Sequence, residues 1–211
     1  MHKLTSPSGI TVSCDKGGSG PPLVLVHGSF SDHRSNWEFV KPTFAEQFTV
    51  YAVARRGRGE TEATEGHSVE DEAGDAAAVL KSIAEPVCLL GHSYGAMVAL
   101  AAASSVPEHI RKLILYEPPW PHLTTRAMVE RLKGMAAAGR WEELAVTFFH
   151  EVISVPMEEV EELRHTELWP SVVADAEATL GDLSALSRYR FVPEAFRELP
   201  FPVLLQPGLP S

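Results

Sequence analysis

Ser93 stands between two glycines in the run Gly91-His92-Ser93-Tyr94-Gly95. An apolar stretch, residues 86–91, leads into it, and an alanine-rich stretch, residues 94–106, leads out. A serine hydroxyl can attack a carboxylic ester if a base takes its proton and two donors receive the charge that develops on the carbonyl oxygen. The G-x-S-x-G spacing suits that chemistry when a strand enters the turn and a helix leaves it. The tight turn exposes the hydroxyl, and the glycines let strand and helix pass closely. The first N–H groups of the helix also face any anion formed there. Without chemistry the same residues make a glycine-rich turn; the flanking runs favour the nucleophile.

A second segment, "VLVHGSFSDHRSNW" (24–37), ends a strand at His27-Gly28 and places Ser29 on the loop after it. With HGSF first, Trp37 downstream and GHSYG later, the chain resembles the α/β-hydrolase fold superfamily in its esterase-like and lyase-like branches, over residues 9 to 208. The resemblance implies an oxyanion hole made by the backbone N–H groups of Ser29 and Tyr94, with His27 and His92 supporting backbone geometry. It implies a helical lid over an acyl pocket, for which Phe30, Trp120 and Met128 are the expected lining. No cofactor is implied.

In that superfamily the acid most often follows the strand after the insertion, and the histidine follows the last strand. Here only "PGLPS" comes after "PVLLQ" (202–206), so neither position has residues to fill it. Glu117, at the end of "LILYEP", is the alternative acid, at a place some relatives use, haloalkane dehalogenases among them. No histidine matches the position of the base. His33, His122, His150 and His165 are the remaining candidates, and His109 reads as a surface residue. Ala54 stands where relatives often carry an aspartate.

The elements that must hold these residues are legible from pattern. Strands are expected over 9–14, 23–28, 49–55, 86–91, 111–119 and 201–208, and the doubly apolar runs among them suit a sheet covered on both faces. Helices are expected over 36–48 (bent at Pro42), 68–84 (capped by Ser68) and 94–106 (stopped at Pro107). Residues 121 to about 198 show only helical spacing. Strand and helix alternate, which predicts an α/β fold: a mostly parallel sheet with helices on both faces. The expected organisation is a core over 1–120, a helical lid insertion over 121–198, and a last core strand and chain end over 199–211, a hydrolase fold shortened at its C-terminus.

Of 211 residues, 45% are hydrophobic and 22% charged, as in a globular protein, and the net charge is −10. That balance argues against nucleic-acid and anionic-membrane partners. The basic cluster "ARRGRG" (54–59) is expected to solvate a loop. No apolar leader or membrane-length run is visible, which predicts a cytoplasmic protein, with Cys14 and Cys88 as buried reduced thiols. The scattered histidines show no metal spacing. The sequence therefore predicts a serine hydrolase of small carboxylic esters. The rival is a non-catalytic protein of the same fold, acting as a binder or arising as a truncated product. The last strand should pair beside residues 112–116 and leave an open apolar edge, which predicts a homo-oligomer.

Overall fold

The structure, a computed structural model, describes residues 2–64, 66–119 and 123–208. Seven strands form one sheet: β1 (His2–Thr5), β2 (Thr11–Gly17), β3 (Pro22–Val26), β4 (Thr49–Val53), β5 (Val87–His92), β6 (Ile110–Tyr116) and β7 (Val203–Gln206). Their order is β1-β2-β4-β3-β5-β6-β7. β1 and β2 run antiparallel to their neighbours, and every pair from β4 to β7 is parallel.

All five residues of β3 are buried, because both faces of this central strand are covered. Side chains alternate between those faces. Val24 and Val26 point into the cluster made with α2 (Val69–Ser82) and α3 (Tyr94–Ser105). Leu23 and Leu25 point into a smaller cluster with Trp37, Val50 and Ala52, closed by α1 (Lys41–Ala45). The expected helices on both faces are present. α2 opens with a capping box in which Ser68 Oγ accepts from the Asp71 amide and the Asp71 side chain accepts from the Ser68 amide.

Between β6 and β7 lie α4 (Arg126–Ala137), α5 (Trp141–Thr147), a π turn over Phe148–Val152, α6 (Met157–Arg164), α7 (Trp169–Ala174) and α8 (Ala176–Arg188). Among the described residues no strand occurs there, in keeping with the helical spacing. Their apolar sides enclose a second core that includes Leu132, Leu144, Phe148 and Leu183, and Phe30 enters it from the loop after β3.

Three expectations need correction. β1 has no counterpart among the expected strands: it is polar and exposed, and it exists through its pairing with β2 rather than through apolar alternation. The helix expected over 36–48 is a 3₁₀ turn at Ser35–Trp37 and then the five-residue α1, with Pro42 in its first turn, where the missing N–H costs nothing. The arginines of the basic cluster do not solvate a loop. Arg55, Arg56 and Arg58 are buried, because each finds a carboxylate partner inside the molecule.

β7 pairs in parallel with β6, Leu113 opposite Val203 and Tyr116 opposite Gln206, as the sequence suggests. Val203, Leu204 and Leu205 are 43%, 55% and 57% exposed, so the strand is open on its faces as well as its edge. Both cysteines are free; Cys14 is buried, and its thiol is pushed up to about 11, mainly by that burial, whereas Cys88 is only half-buried. Among the described residues no helix is long and apolar enough to cross a membrane.

Two measurements test this packing. A Cβ at Gly95 would collide with the backbone carbonyls of Val26 and His27. Gly95→Ala should therefore lower stability by about 1–3 kcal/mol in denaturant unfolding, as overpacking does. At micromolar concentration, light scattering should give a mass above that of one chain, and Leu204→Lys with Leu205→Glu should return it to the monomer. A monomeric wild-type chain would show that the open edge is tolerated.

Candidate active site

Ser93 links β5 to α3 with φ 51° and ψ −125°, a conformation that side-chain-bearing residues rarely adopt. The surrounding packing holds it there. A Cβ at Gly91 would collide with the Gly95 carbonyl and Ala96 on α3, so strand and helix meet at contact distance. The Ser93 amide donates to the Tyr116 carbonyl at 2.9 Å, and the Ser93 carbonyl accepts from the Ala96 amide at 2.8 Å. Opposite, a Cβ at Gly28 would lie 3.1 Å from Ser93 Cβ, so the loop after β3 abuts the serine. Phe30 (φ 53°) and Glu117 (φ 48°) also have positive φ. Three of the four such non-glycine residues among those described thus come just after the carboxyl ends of β3, β5 and β6. Strain of this kind costs on the order of 1–3 kcal/mol each and gathers at functional sites.

Beneath this edge lies a buried ionic network. Arg55 Nη1 donates to Glu72 Oε2 and Asp182 Oδ1, both at 2.9 Å, and Nη2 donates to Asp182 Oδ2 at 2.8 Å. Arg58 holds the same aspartate at 2.9 and 2.8 Å, and Asp175 at 3.1 Å. Burial alone would raise the Asp182 carboxyl, but the two guanidinium groups outweigh it and hold it well below the usual carboxylate range. Glu72 is likewise lowered, burial being outweighed by Arg55 and His67. His67 Nε2 lies 3.2 Å from Glu72 Oε1, close enough for an ion pair but not aligned as a hydrogen bond. Burial opposes its charge, yet Glu72 wins and raises the imidazole above its ordinary value.

The network reaches both expected oxyanion residues. Ser29 Oγ donates to Asp182 Oδ2 at 2.8 Å, and Tyr94 Oη donates to Glu72 Oε1 at 3.0 Å. The Phe30 amide donates to Thr179 Oγ1 at 2.9 Å. Among the described residues, the amides of Ser29 and Tyr94 have no hydrogen-bond acceptor.

The remaining sequence candidates are dispersed. Glu117 is exposed at the sheet edge, and its amide donates to the Gln206 carbonyl at 2.8 Å. Its Oε1 faces Gly208, 3.1 Å from where a Cβ would stand there, and its charge acts on His92, which burial lowers. Glu117 and Ser93 thus sit after adjacent strands at the same sheet edge, with no hydrogen bond between them. Phe30 is buried against Phe148 and Phe149, at ring distances of 4.7 and 5.2 Å, and Met128 packs on the same cluster. Trp120 and His122 lie outside the described residues.

His27 is buried; its Nε2 accepts from the Arg55 amide, so Nδ1 carries the proton and donates to the Gly28 carbonyl at 2.8 Å. Burial, with Arg55 and Arg58 nearby, holds it well below its ordinary value, a structural histidine as expected. His92 Nδ1 donates to Asn36 Oδ1 at 2.8 Å. His33 is buried beside Gly59, and His150 and His165 are exposed and bound to the carbonyls of Val155 and Glu161. Among the described residues no histidine hydrogen-bonds to Ser93.

Sequence reasoning misses Asp182, Glu72, His67 and the buried arginines. A signal exists: Asp175, Thr179 and Asp182 recur at helical spacing in an alanine- and leucine-rich stretch, a polar stripe where an apolar one is due. His67, Glu72 and Asp182 converge closely enough to suggest a metal. The donor set does not fit one, because two guanidinium groups already neutralise both carboxylates. A crevice of about 850 Å³ opens beside Arg56, His67, Lys133, Asp175, Ser184 and Arg188, and Ser93 is not among its walls.

The profile of the alpha/beta hydrolase family matches residues 23–208. A 2-(acetamidomethylene)succinate hydrolase of Mesorhizobium japonicum is 30% identical over 132 residues, 62% of this chain and 46% of that protein. A pimeloyl-[acyl-carrier protein] methyl ester esterase of Methylococcus capsulatus is 35% identical over 112 residues, 49% of this chain and 42% of that protein. The matched regions therefore span less than half the length of these curated relatives. The crystal structure of an alpha/beta hydrolase from Sphaerobacter thermophilus superposes with a TM-score of 0.85 at 29% identity, covering 97% of this chain and 80% of the other.

The network makes stability depend on pH. Asp182 and Glu72 have depressed folded-state values, so their contribution is present above their unfolded values, near pH 4, and is lost as pH falls through the folded ones. His67 is raised, so its contribution is full below about pH 6.5 and fades as pH rises through its folded value. Asp182→Ala leaves two buried arginines short of a partner and should cost about 3–5 kcal/mol at neutral pH. Urea unfolding should show the gap to wild type narrowing as pH falls below about 4. A gap independent of pH would mean that the carboxylate's charge does not matter.

Proposed function

This chain belongs to the alpha/beta hydrolase family, and we propose that it hydrolyses small carboxylic esters through an acyl-enzyme on Ser93. The observation that carries the reading is the strained Ser93 backbone between β5 and α3, with the start of the helix behind it and the Gly28 loop in front. Ser93 Oγ would bond to the ester carbonyl carbon while the amides of Ser29 and Tyr94 receive the charge on the oxygen. The intermediate would collapse with loss of the alkoxide, which takes up the proton released by Ser93. Water would then cleave the acyl-serine by the same route and release the acid.

One matched relative is named as a methyl ester esterase. The apolar cluster around Phe30, on which Met128 packs, would take the acyl portion, with α4 to α8 as the lid above it. Glu117 is the proposed acid, at the same sheet edge as Ser93.

A second reading has its own observation. No described histidine bonds to Ser93, which favours a protein that keeps the fold and binds without turning over. The two readings separate in one experiment. On the hydrolase reading, a fluorophosphonate probe labels the wild-type chain and not Ser93→Ala, and p-nitrophenyl acetate is hydrolysed only by the wild type. Labelling that persists in Ser93→Ala would overturn Ser93 as the nucleophile, and no labelling at all would leave the binding reading.

A further inference from the structure

We infer that Arg55, through Asp182 and Glu72, is the positioning residue of the proposed oxyanion hole, setting the direction of the Ser29 amide and tying it to Tyr94. The inference rests on the hydrolase reading for its purpose, but its geometry stands on the structure. The Gly28 carbonyl and the Ser29 N–H belong to one peptide unit, which is planar and trans, so they point in opposite directions. Arg55 Nη2 donates to the Gly28 carbonyl at 2.9 Å, and His27 Nδ1 donates to it at 2.8 Å. Arg55 Nε holds the preceding carbonyl, that of His27, at 2.9 Å. Turning the Gly28 oxygen towards the guanidinium turns the Ser29 N–H away from it.

The flanking contacts fix the same unit from the other side. Ser29 Oγ is bound to Asp182 and the Phe30 amide to Thr179, so the loop cannot rotate the peptide without breaking buried bonds. Tyr94 is held by related means. Its N–H shares a peptide with the Ser93 carbonyl, which accepts from Ala96, and its phenol is bound to Glu72. The Arg55 guanidinium carbon lies 4.6 Å from the centre of the Tyr94 ring. One guanidinium therefore touches the supports of both amides.

The test reads the two amides directly. In ¹H–¹⁵N spectra, Asp182→Asn should move the amide signal of Ser29, whose hydroxyl it bonds directly, and also that of Tyr94, which the change reaches through Arg55. Movement of Ser29 alone would overturn the inference. Should Asp182→Asn fail to fold, the single-hydroxyl deletions decide: Tyr94→Phe must move the Ser29 signal, and Ser29→Ala the Tyr94 signal. Silence at the far amide in both would overturn it.

Kinetics with p-nitrophenyl acetate add a second readout. Tyr94→Phe and Ser29→Ala should lower kcat by about ten- to a hundredfold, as misplacement does, and leave KM unchanged. Ser29→Thr, which restores the hydroxyl, should recover most of the rate. A KM rise at constant kcat would assign these side chains to substrate binding and overturn the positioning role. A wild-type chain without turnover would overturn the hydrolase reading alone, and the amide signals would still decide this one.

Discussion

Arg55 is the contact on which the rest of the arrangement turns. Its side chain is 2% exposed, and an isolated charge at that depth would cost several kcal/mol. All five guanidinium N–H groups are answered: Nε by the His27 carbonyl, Nη1 by Glu72 and Asp182, and Nη2 by the Gly28 carbonyl and Asp182. Those partners come from the loop after β3, from α2 and from α8. One side chain thus joins the sheet edge, a crossover helix and the helical block between β6 and β7. Lysine could not replace it, since three donors on one nitrogen cannot span these partners.

That joint also places α8. The polar stripe Asp175, Thr179 and Asp182 faces Arg58 and Arg55, while Ala185 and Leu186 continue into the main core. Leu183 and Ala176 face the second core. α8 is therefore shared between two apolar clusters, and its polar stripe fills the seam between them. The seam opens at the crevice beside His67 and closes at the Ser29 loop. Electrostatics decides the registration here, because the flanking apolar contacts would tolerate small slides that the bidentate pairs would not.

The frame is legible in the sequence for definite reasons. β3 announces itself because a strand buried on both faces needs a continuous apolar run, β5 because its apolar run leads straight into the glycine-flanked serine, and α2 because Ser68 and Asp71 cap it. The serine turn is readable because its glycines and flanks are local. β1 is not, since a polar edge strand carries no pattern of its own. The ionic network is hidden for a different reason. Arg55 finds its partners 17 and 127 residues away, and a sequence displays the sign of a charge without its solvation. Three arginines within four positions, 55 to 58, look like a solvated loop until their carboxylates are located.

A buried ion cluster is weak evidence for stability, because well-packed apolar groups of the same volume often do as well or better. What apolar groups cannot supply is direction. A leucine at position 55 could fill space against Tyr94, yet it could not turn the Gly28 carbonyl inward and with it the Ser29 N–H outward. The same distinction applies at Ser93, whose strained backbone packing alone would not require but which Gly91, Gly95 and the bond to the Tyr116 carbonyl hold in place. In both places the fold accepts a cost to fix the orientation of a backbone group. The two places adjoin, Gly28 against Ser93, and that adjacency is something neither a stable core nor a simple glycine turn would need.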